Sequence, residues 1–365
     1  MRFIICICIM LLFFSFSNPI IGQAKPGVSG NNAVLIEQST GRVLFEKKAH
    51  EKESIASITK IMTGIIAVES GKMSEKAKVS RKAIYTEGSS IYLEQGEKIT
   101  IEDLVYGLML RSGNDAAVAI GEHLGGSEEG FVYLMNEKAK WLGMTNTNFE
   151  NPHGLDSDNH YSTAYDMALL MRYAMKNEEF RSITGATAYK SDNRTYSWQN
   201  KNKLLTQFYE YCTGGKTGYT RKTGRTLVTT ATKDGMDLIA VTLNASDDWR
   251  DHISMFEWGF KNYTMESIIE KGDKNFRLIG LDEVTTGYLQ EDILYPLTEA
   301  ENVETRSYIV KDTIDQEDSI IGKTIFYLDD SPILETPIFS GKALVKQSNL
   351  VSQMKSVFKQ ILGAN

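Results

Sequence analysis

Residues 226–243 read TLVTTATKDGMDLIAVTL. Residues 226–232 and, apart from Asp237, 236–243 are apolar or β-branched, and Lys233-Asp234-Gly235 between them is turn chemistry, so the stretch predicts a β-hairpin, the strongest in the chain. Downstream, Trp249, Ile253, Phe256 and Phe260 recur at helical spacing and predict a helix whose apolar stripe packs on that sheet. Far upstream, the β-prone runs 33–37 and 42–47 flank Gln38-Ser39-Thr40-Gly41 and predict a second hairpin.

Between the hairpins the pattern is helical. Ile58, Ile61, Met62, Ile65, Ile66 and Val68 cover most faces of the run 57–70, which predicts a buried helix ended by Gly71. Thr100, with Asp103 three residues on, resembles a helix-starting box before Leu104, Val105, Leu108 and Met109. Further helices are predicted over 116–124, 128–142 and 163–175. The order strands, helices, strands, helix predicts an α/β fold: an antiparallel sheet flanked by helices. After Gly272, short β-rich pieces at 276–279, 293–295, 306–310 and 324–328 predict a small all-β domain. At the C-terminus Leu350, Met354, Val357, Phe358, Ile361 and Leu362 share one face of a predicted amphipathic helix. That stripe either lies in a membrane interface, the reading adopted here, or packs on the β domain.

The 365 residues are 42% hydrophobic and 24% charged, enough for a sizeable core and two domains. The net charge of −7, without a long basic run, excludes a nucleic-acid footprint. Three cysteines, Cys6, Cys8 and Cys212, exclude a disulfide framework. Arg2, the apolar run 3–16, and Gly22 and Ala24 at the −3 and −1 places of a cleavage site describe a secretory signal peptide; the alternative is an uncleaved anchor.

Ser57-Ile58-Thr59-Lys60 puts a hydroxyl and an amine one helical turn apart. A serine attacks only when something takes its proton, and an amine in a dry, cationic pocket is readily neutral, so the pair is a candidate nucleophile and base. The same spacing at Ser352/Lys355 and Ser356/Lys359 lies on the C-terminal segment and reads as chance. Ser112-Gly113-Asn114 falls in a predicted helix-to-helix turn, where it aims a hydroxyl and an amide into a cleft or merely caps a helix. Ser157-Asp158-Asn159 reads as a polar loop. Lys216-Thr217-Gly218 is placed on a strand bordering the cleft: a cation for an anionic group, a hydroxyl, and a glycine that lets a substrate backbone approach, with the Tyr219 N–H beside them. Lys222-Thr223-Gly224 repeats the triplet, and spacing alone does not choose; the glycines before Lys216 and Thr220 after it favour the first copy, with Lys222 solvated. Cys212, four residues before Lys216 and placed near the cleft, reads as a small buried hydrophobe rather than a nucleophile.

Ser-x-x-Lys, Ser-x-Asn and Lys-Thr-Gly in this order form the motif set of penicillin-binding proteins and class A β-lactamases. With IASITKIMT at 55–63, GLMLRSGNDAA at 107–117, NPHGL at 151–155, YSTAYD at 161–166 and GGKTGYT at 214–220, the chain over about residues 30–265 resembles the low-molecular-mass penicillin-binding D-alanyl-D-alanine carboxypeptidases, most of all their sporulation branch. The resemblance implies a penicillin-binding/β-lactamase-like transpeptidase fold. It also implies that Ser57 attacks the peptide bond between two terminal D-alanines with Lys60 taking its proton. Ser112 and Asn114 would relay a proton and hold the substrate backbone, Lys216 and Thr217 would bind the terminal carboxylate, Gly218 would admit the chain, and the N–H groups of Ser57 and Tyr219 would stabilise the oxyanion. The partners implied are peptidoglycan stem peptides ending in D-Ala-D-Ala and β-lactams as covalent inhibitors, with peripheral membrane association and no cofactor. The expected organisation is a signal peptide (1–24), a catalytic domain (25–266), a β-rich domain (267–342) and an interfacial helix (343–365). The expected location is the outer face of the cytoplasmic membrane or the wall space, or the space around a forespore.

A class A β-lactamase would carry a Glu-x-x-Leu-Asn loop downstream of the second motif, and the sequence has none. A zinc carboxypeptidase would cluster its ligands; His50, His123, His153, His160 and His252 are scattered, and His153 reads as a loop-structuring side chain. A non-enzymatic wall-binding protein would need no Ser57–Lys60 pair.

Overall fold

The computed structural model describes residues 24–277, 284–309 and 319–340. The signal-peptide and C-terminal-helix expectations lie outside the described residues.

The elements in chain order are β1 (Asn32–Glu37), β2 (Val43–Lys47), a 3₁₀ turn (Ala56–Thr59) running into α1 (Lys60–Glu69), β3 (Lys76–Lys78), α2 (Arg81–Ile84), β4 (Lys98–Thr100) and α3 (Ile101–Tyr106). A π-helical turn (Gly107–Arg111) leads to α4 (Asn114–Gly125), α5 (Glu128–Trp141), α6 (Ala164–Ala174), α7 (Glu178–Gly185), β5 (Ala188–Tyr189) and β6 (Trp198–Gln199). Then come β7 (Cys212–Thr220), β8 (Gly224–Lys233), β9 (Met236–Ala245) and α8 (Asp248–Asn262). The C-terminal part holds β10 (Thr264–Ile269), β11 (Gly272–Arg277), β12 (Val284–Leu289), β13 (Ile293–Leu297), β14 (Glu304–Ile309), β15 (Ile320–Leu328) and β16 (Ser331–Phe339).

The quoted hairpin is β8–β9, joined by Asp234 and Gly235 at φ 49° and 79°, the double positive φ of a two-residue turn that follows strand twist. It is central in an antiparallel sheet of order β2-β1-β9-β8-β7. Every residue of β1 is buried, because Val34 and Ile36 face the helical layer while Ala33 and Leu35 face α8. Helix α8 covers its side of the sheet with Met255 and Phe256. On the other side α1 is the hub, with Ile61, Met62, Ile65 and Ile66 wholly buried among the helices. The caps follow the sequence: Thr100 Oγ1 accepts the Asp103 N–H at 3.1 Å and Thr163 Oγ1 the Asp166 N–H at 3.0 Å.

The predicted single helix over 57–70 is a 3₁₀ turn followed by α1, and that first turn matters for the site. In the C-terminal part the first β piece begins at Gly272 rather than Phe276, and strands β10, β12 and β16 lie outside the predicted β pieces. Strand β16 carries Pro332 and Pro337 and pairs with β12 only through Tyr288 and Phe339, so the prolines line an edge that needs no N–H donor. The sheet β11-β12-β16-β15-β14 has its own small core of Leu289, Ile321 and Ile338. Strand β10 pairs with β13, so the expected boundary at residue 266 falls inside a strand. Among the described residues no helix is long and apolar enough to cross a membrane.

Candidate active site

Ser57 stands in the 3₁₀ turn and Lys60 opens α1, so their side chains meet one turn apart. Lys60 Nζ lies 3.0 Å from Ser57 Oγ and 2.7 Å from Asn114 Oδ1, and it also donates to the His153 carbonyl. The Lys60 side chain is fully buried. Burial first, then the charges of Lys216 and Lys201, hold its pKa well below the ordinary lysine value, against a smaller opposing pull from Asp115. Once deprotonated, an amine at this place would keep two donors for Asn114 and His153 and have one lone pair to turn to the Ser57 hydroxyl.

The π-helical turn ends at Ser112, which sits at φ 65°, ψ 32° and is nearly buried. This left-handed corner carries Ser112 and Asn114 into the groove. Lys216 Nζ donates to Ser112 Oγ at 3.1 Å and to the Thr217 carbonyl at 2.7 Å. Lys216 is 1% exposed, and burial together with Lys201 lowers its pKa to about 7. Strand β7, the sheet edge, thus brings the third motif against the second. Gly218 meets the first: a methyl group there would lie 2.9 Å from Ser57 N and 3.1 Å from Ile58 N. Thr217 is half-buried, and Tyr219 is exposed beside it. The structure therefore brings Ser57, Lys60, Ser112, Asn114, Lys216 and Gly218 together around one groove.

The second triplet lies elsewhere: Lys222 is exposed in the β7–β8 turn, and Thr223 Oγ1 donates to Asp156 at 2.8 Å. Ser157 donates to Glu150 within the polar loop. Cys212 does not face the groove. It packs with Leu204, Tyr209 and Phe256 on the α8 side of the sheet, and burial pushes its thiol up to about 12.

Several groups at or behind the groove carry no motif. Lys201 Nζ donates to Ser89 Oγ at 3.2 Å, Ser89 O accepts the Asn114 N–H at 2.7 Å, and Asn114 Oδ1 accepts from Lys60, which links a third lysine to the site. Among the described residues none of Lys60, Lys201 and Lys216 is ion-paired with a carboxylate. In a chain of net charge −7 this is a local field suited to an anion. Behind Lys216, Thr184 of α7 brackets Gly215, accepting its N–H at 3.0 Å and donating to its carbonyl at 3.1 Å. The segment NPHGL cradles α1, with Pro152 O accepting Thr63 Oγ1 at 2.6 Å and His153 O accepting Lys60. His153 Nδ1 accepts the Leu155 N–H at 3.2 Å, and burial lowers its pKa to about 3, so the ring is neutral and structures the loop.

A hydroxyl, a buried amine whose proton is held less tightly than usual, two further polar side chains and an anchored lysine on a strand edge equip the groove for acyl transfer from a substrate with a terminal anion. The sequence matches the Peptidase S11 family, D-alanyl-D-alanine carboxypeptidase, over residues 21–247. The chain belongs to this family. It is 34% identical to the D-alanyl-D-alanine carboxypeptidase DacF of Bacillus subtilis over 89% of this chain and 88% of that one. Penicillin binding protein 5 of Haemophilus influenzae superposes with a TM-score of 0.74 at 26% identity, over 87% of this chain and 98% of that structure. Penicillin binding protein 6B of Escherichia coli does so with 0.68 at 27%, over 88% and 98%. As a serine-type D-alanyl-D-alanine carboxypeptidase of the low-molecular-mass penicillin-binding kind, the protein acts on peptidoglycan and binds β-lactams, and its fold is the antiparallel, helix-flanked α/β arrangement that the resemblance implied.

Proposed function

We propose that Ser57 is the acylated residue and Lys60 its base, and the 3.0 Å approach of Lys60 Nζ to Ser57 Oγ carries this reading. Ser57 Oγ bonds to the carbonyl carbon between the two D-alanines while its proton passes to Lys60. The tetrahedral oxyanion is held by the N–H groups of Ser57 and Tyr219. As the C–N bond breaks, the proton reaches the leaving D-alanine amine, with Ser112 as the relay. Asn114 holds the substrate backbone, Gly218 lets it lie along β7, and Lys216 with Thr217 binds the terminal carboxylate. Water then attacks the ester, and the shortened stem peptide leaves. Mass spectrometry after exposure to a β-lactam tests this: the adduct is expected on the peptide carrying Ser57 and absent from Ser57→Ala. An adduct on another residue, or continued D-alanine release by that variant, overturns it.

The chain is read as a catalytic unit over 25–266, a β-rich unit over 267–342 that serves as a spacer and joins it within β10, and a membrane-interface helix over 343–365. The second sheet's own core and the apolar stripe from Leu350 to Leu362 support this division. The reading places the enzyme outside the cytoplasmic membrane after signal cleavage. Deleting residues 350–365 is expected to move it from membrane to soluble fractions; an unchanged distribution refutes the anchor. Likeness to the sporulation branch points to wall or spore-cortex maturation, and a promoter fusion active only in growing cells would refute the sporulation assignment.

A further inference from the structure

Behind the nucleophile turn runs a hydrogen-bonded chain that none of the three motifs explains. Ala56, immediately before Ser57, is buried at φ +49°, a left-handed conformation that side chains with a Cβ avoid. Its carbonyl accepts Thr59 Oγ1 at 2.8 Å. Thr59 Oγ1 in turn lies 2.8 Å from His160 Nε2, and His160 Nδ1 accepts the Glu150 N–H at 3.0 Å. With Nδ1 an acceptor, the neutral ring carries its proton on Nε2. The one Thr59 proton is already given to Ala56, so His160 is the donor to Thr59.

His160 is itself held firmly. It is 3% exposed, with the Phe149 ring edge-on at 5.8 Å. Tyr161 exchanges both backbone hydrogen bonds with Asn148, and Ser162 does so with Glu53. Gly154, at φ +88°, closes over the Ala56 carbonyl, where a methyl group would come within 2.0 Å. A strained backbone persists only where its surroundings over-determine it, and these contacts do so at the residue that aims Ser57. His252 makes a useful contrast. It too is buried between two threonine hydroxyls, Thr229 and Thr242, but those belong to sheet strands and lead nowhere near the groove.

We propose that His160 is a positioning residue for acylation: through Thr59 it fixes the Ala56 carbonyl and thereby the turn that presents Ser57 Oγ to Lys60 and the Ser57 N–H to the oxyanion. The role rests on Ser57 being the acylated residue. It acts in the transition state more than on substrate affinity, because the turn carries the nucleophile and an oxyanion donor rather than the carboxylate clasp. Thr226 Oγ1, which donates to the Ile55 carbonyl at 2.9 Å, holds the turn from the strand side, so loss of the histidine bond loosens the turn without releasing it.

The test uses the full chain and two substitutions that split the two ring nitrogens. His160→Asn keeps an acceptor where Nδ1 stands and loses the donor to Thr59; His160→Gln keeps a donor where Nε2 stands. Acylation by a penicillin, with the adduct located by mass, is measured beside kcat and KM on a D-Ala-D-Ala peptide and the melting temperature. His160→Asn is expected to slow acylation and kcat by about tenfold or more with KM little changed, and His160→Gln to restore both to within about threefold. Thr59→Val is expected to match His160→Asn, and the double variant to be no worse than Thr59→Val alone. Wild-type acylation of Ser57 in His160→Asn or Thr59→Val overturns the role, as does loss in both His160 variants that simply tracks melting temperature. If His160→Asn does not fold, Thr59→Val against His160→Gln decides. An adduct on a residue other than Ser57 instead refutes the nucleophile assignment, and the positioning role with it.

Discussion

Gly218 packs against the main-chain nitrogen of Ser57, so that a methyl group built on it would stand 2.9 Å from Ser57 N and 2.3 Å from Thr226 Oγ1. Both neighbours belong to fixed structure: Ser57 N to the 3₁₀ turn, and Thr226 to β8, from which its hydroxyl reaches Ile55 O. Gly218→Ala must therefore push β7 away from the turn. Overpacking of this kind costs about 1–3 kcal/mol. Displacing the turn by a fraction of an ångström is expected to slow β-lactam acylation by about 10- to 100-fold. Acylation kinetics beside a denaturant melt separate the two effects.

Lys216→Ala and Lys222→Ala are predicted to differ sharply although both lysines precede Thr-Gly. Lys216 is buried on Ser112 and is proposed to hold the substrate carboxylate; removing it deletes a charge-assisted contact worth about 1.5–3 kcal/mol, a roughly 10- to 150-fold loss in kcat/KM. Lys222 is exposed in a turn, and its loss is expected to alter activity and stability by less than about 0.5 kcal/mol. Equal effects of the two would contradict the assignment of the clasp to β7.

Much of this was legible before any coordinates. The β8–β9 hairpin announces itself because strand residues and a turn that needs positive φ occur together, and the Thr100 cap because a hydroxyl three residues before an N–H is a local relationship; Thr163, predicted as the first helical residue, is in fact a cap of the same kind. The three motifs, each weak alone, gain meaning from their order along the chain, which suggests one cleft. What stayed hidden is whatever depends on distant packing. Helix α7 is only eight residues long and buries just two apolar side chains, Phe180 and Ile183, so it is easily passed over, yet it supplies Thr184 behind Lys216. Strand β16 is disguised by two prolines that only an open edge tolerates. Lys201 and His160 belong to no spacing pattern with Ser57; they reach it through Ser89 and Thr59, contacts that exist only in the folded chain.

Lys201 tunes its neighbours by charge. Its ammonium, tethered to Ser89, helps depress both Lys60 and Lys216. Lys201→Met removes a positive charge, so both neighbours hold their protons to higher pH. If Lys60 is the base, as proposed, the acid limb of acylation follows its deprotonation and is expected to move alkaline. The limb on which Lys216 loses its charge, near pH 7 in the free enzyme, is expected to move the same way. Asp115, His153 and His160 also face Lys60, but the histidines are neutral across this range and the variant leaves Asp115 in place. Lys201→Arg keeps the charge and is expected to keep the profile. A Met variant with unmoved limbs would show that Lys201 exerts no field on the pair.

Arg42 ties the first hairpin to the C-terminal strands, and its removal should loosen that attachment while sparing the groove. Its guanidinium pairs with Glu301, donates to the Pro296 carbonyl and lies between the Tyr263 and Tyr295 rings, 5.1 and 5.2 Å from their centroids. The Arg42 side chain is only 11% exposed and that of Glu301 21%, so the pair is largely shielded from water. Truncating one partner of such a pair leaves the other charge unmatched. Arg42→Ala is therefore expected to destabilise by about 2–4 kcal/mol. Since part of that loss is the stranded carboxylate, Arg42→Ala/Glu301→Gln should be less destabilised than Arg42→Ala alone. Limited proteolysis of Arg42→Ala is expected to cut first around residues 263–303, where the attachment sits. Penicillin acylation at moderate temperature should remain within about twofold of wild type, because no residue of the groove contacts Arg42. Acylation that fell in step with the loosened strands would instead make the C-terminal part a support of the groove, and the spacer reading would fail.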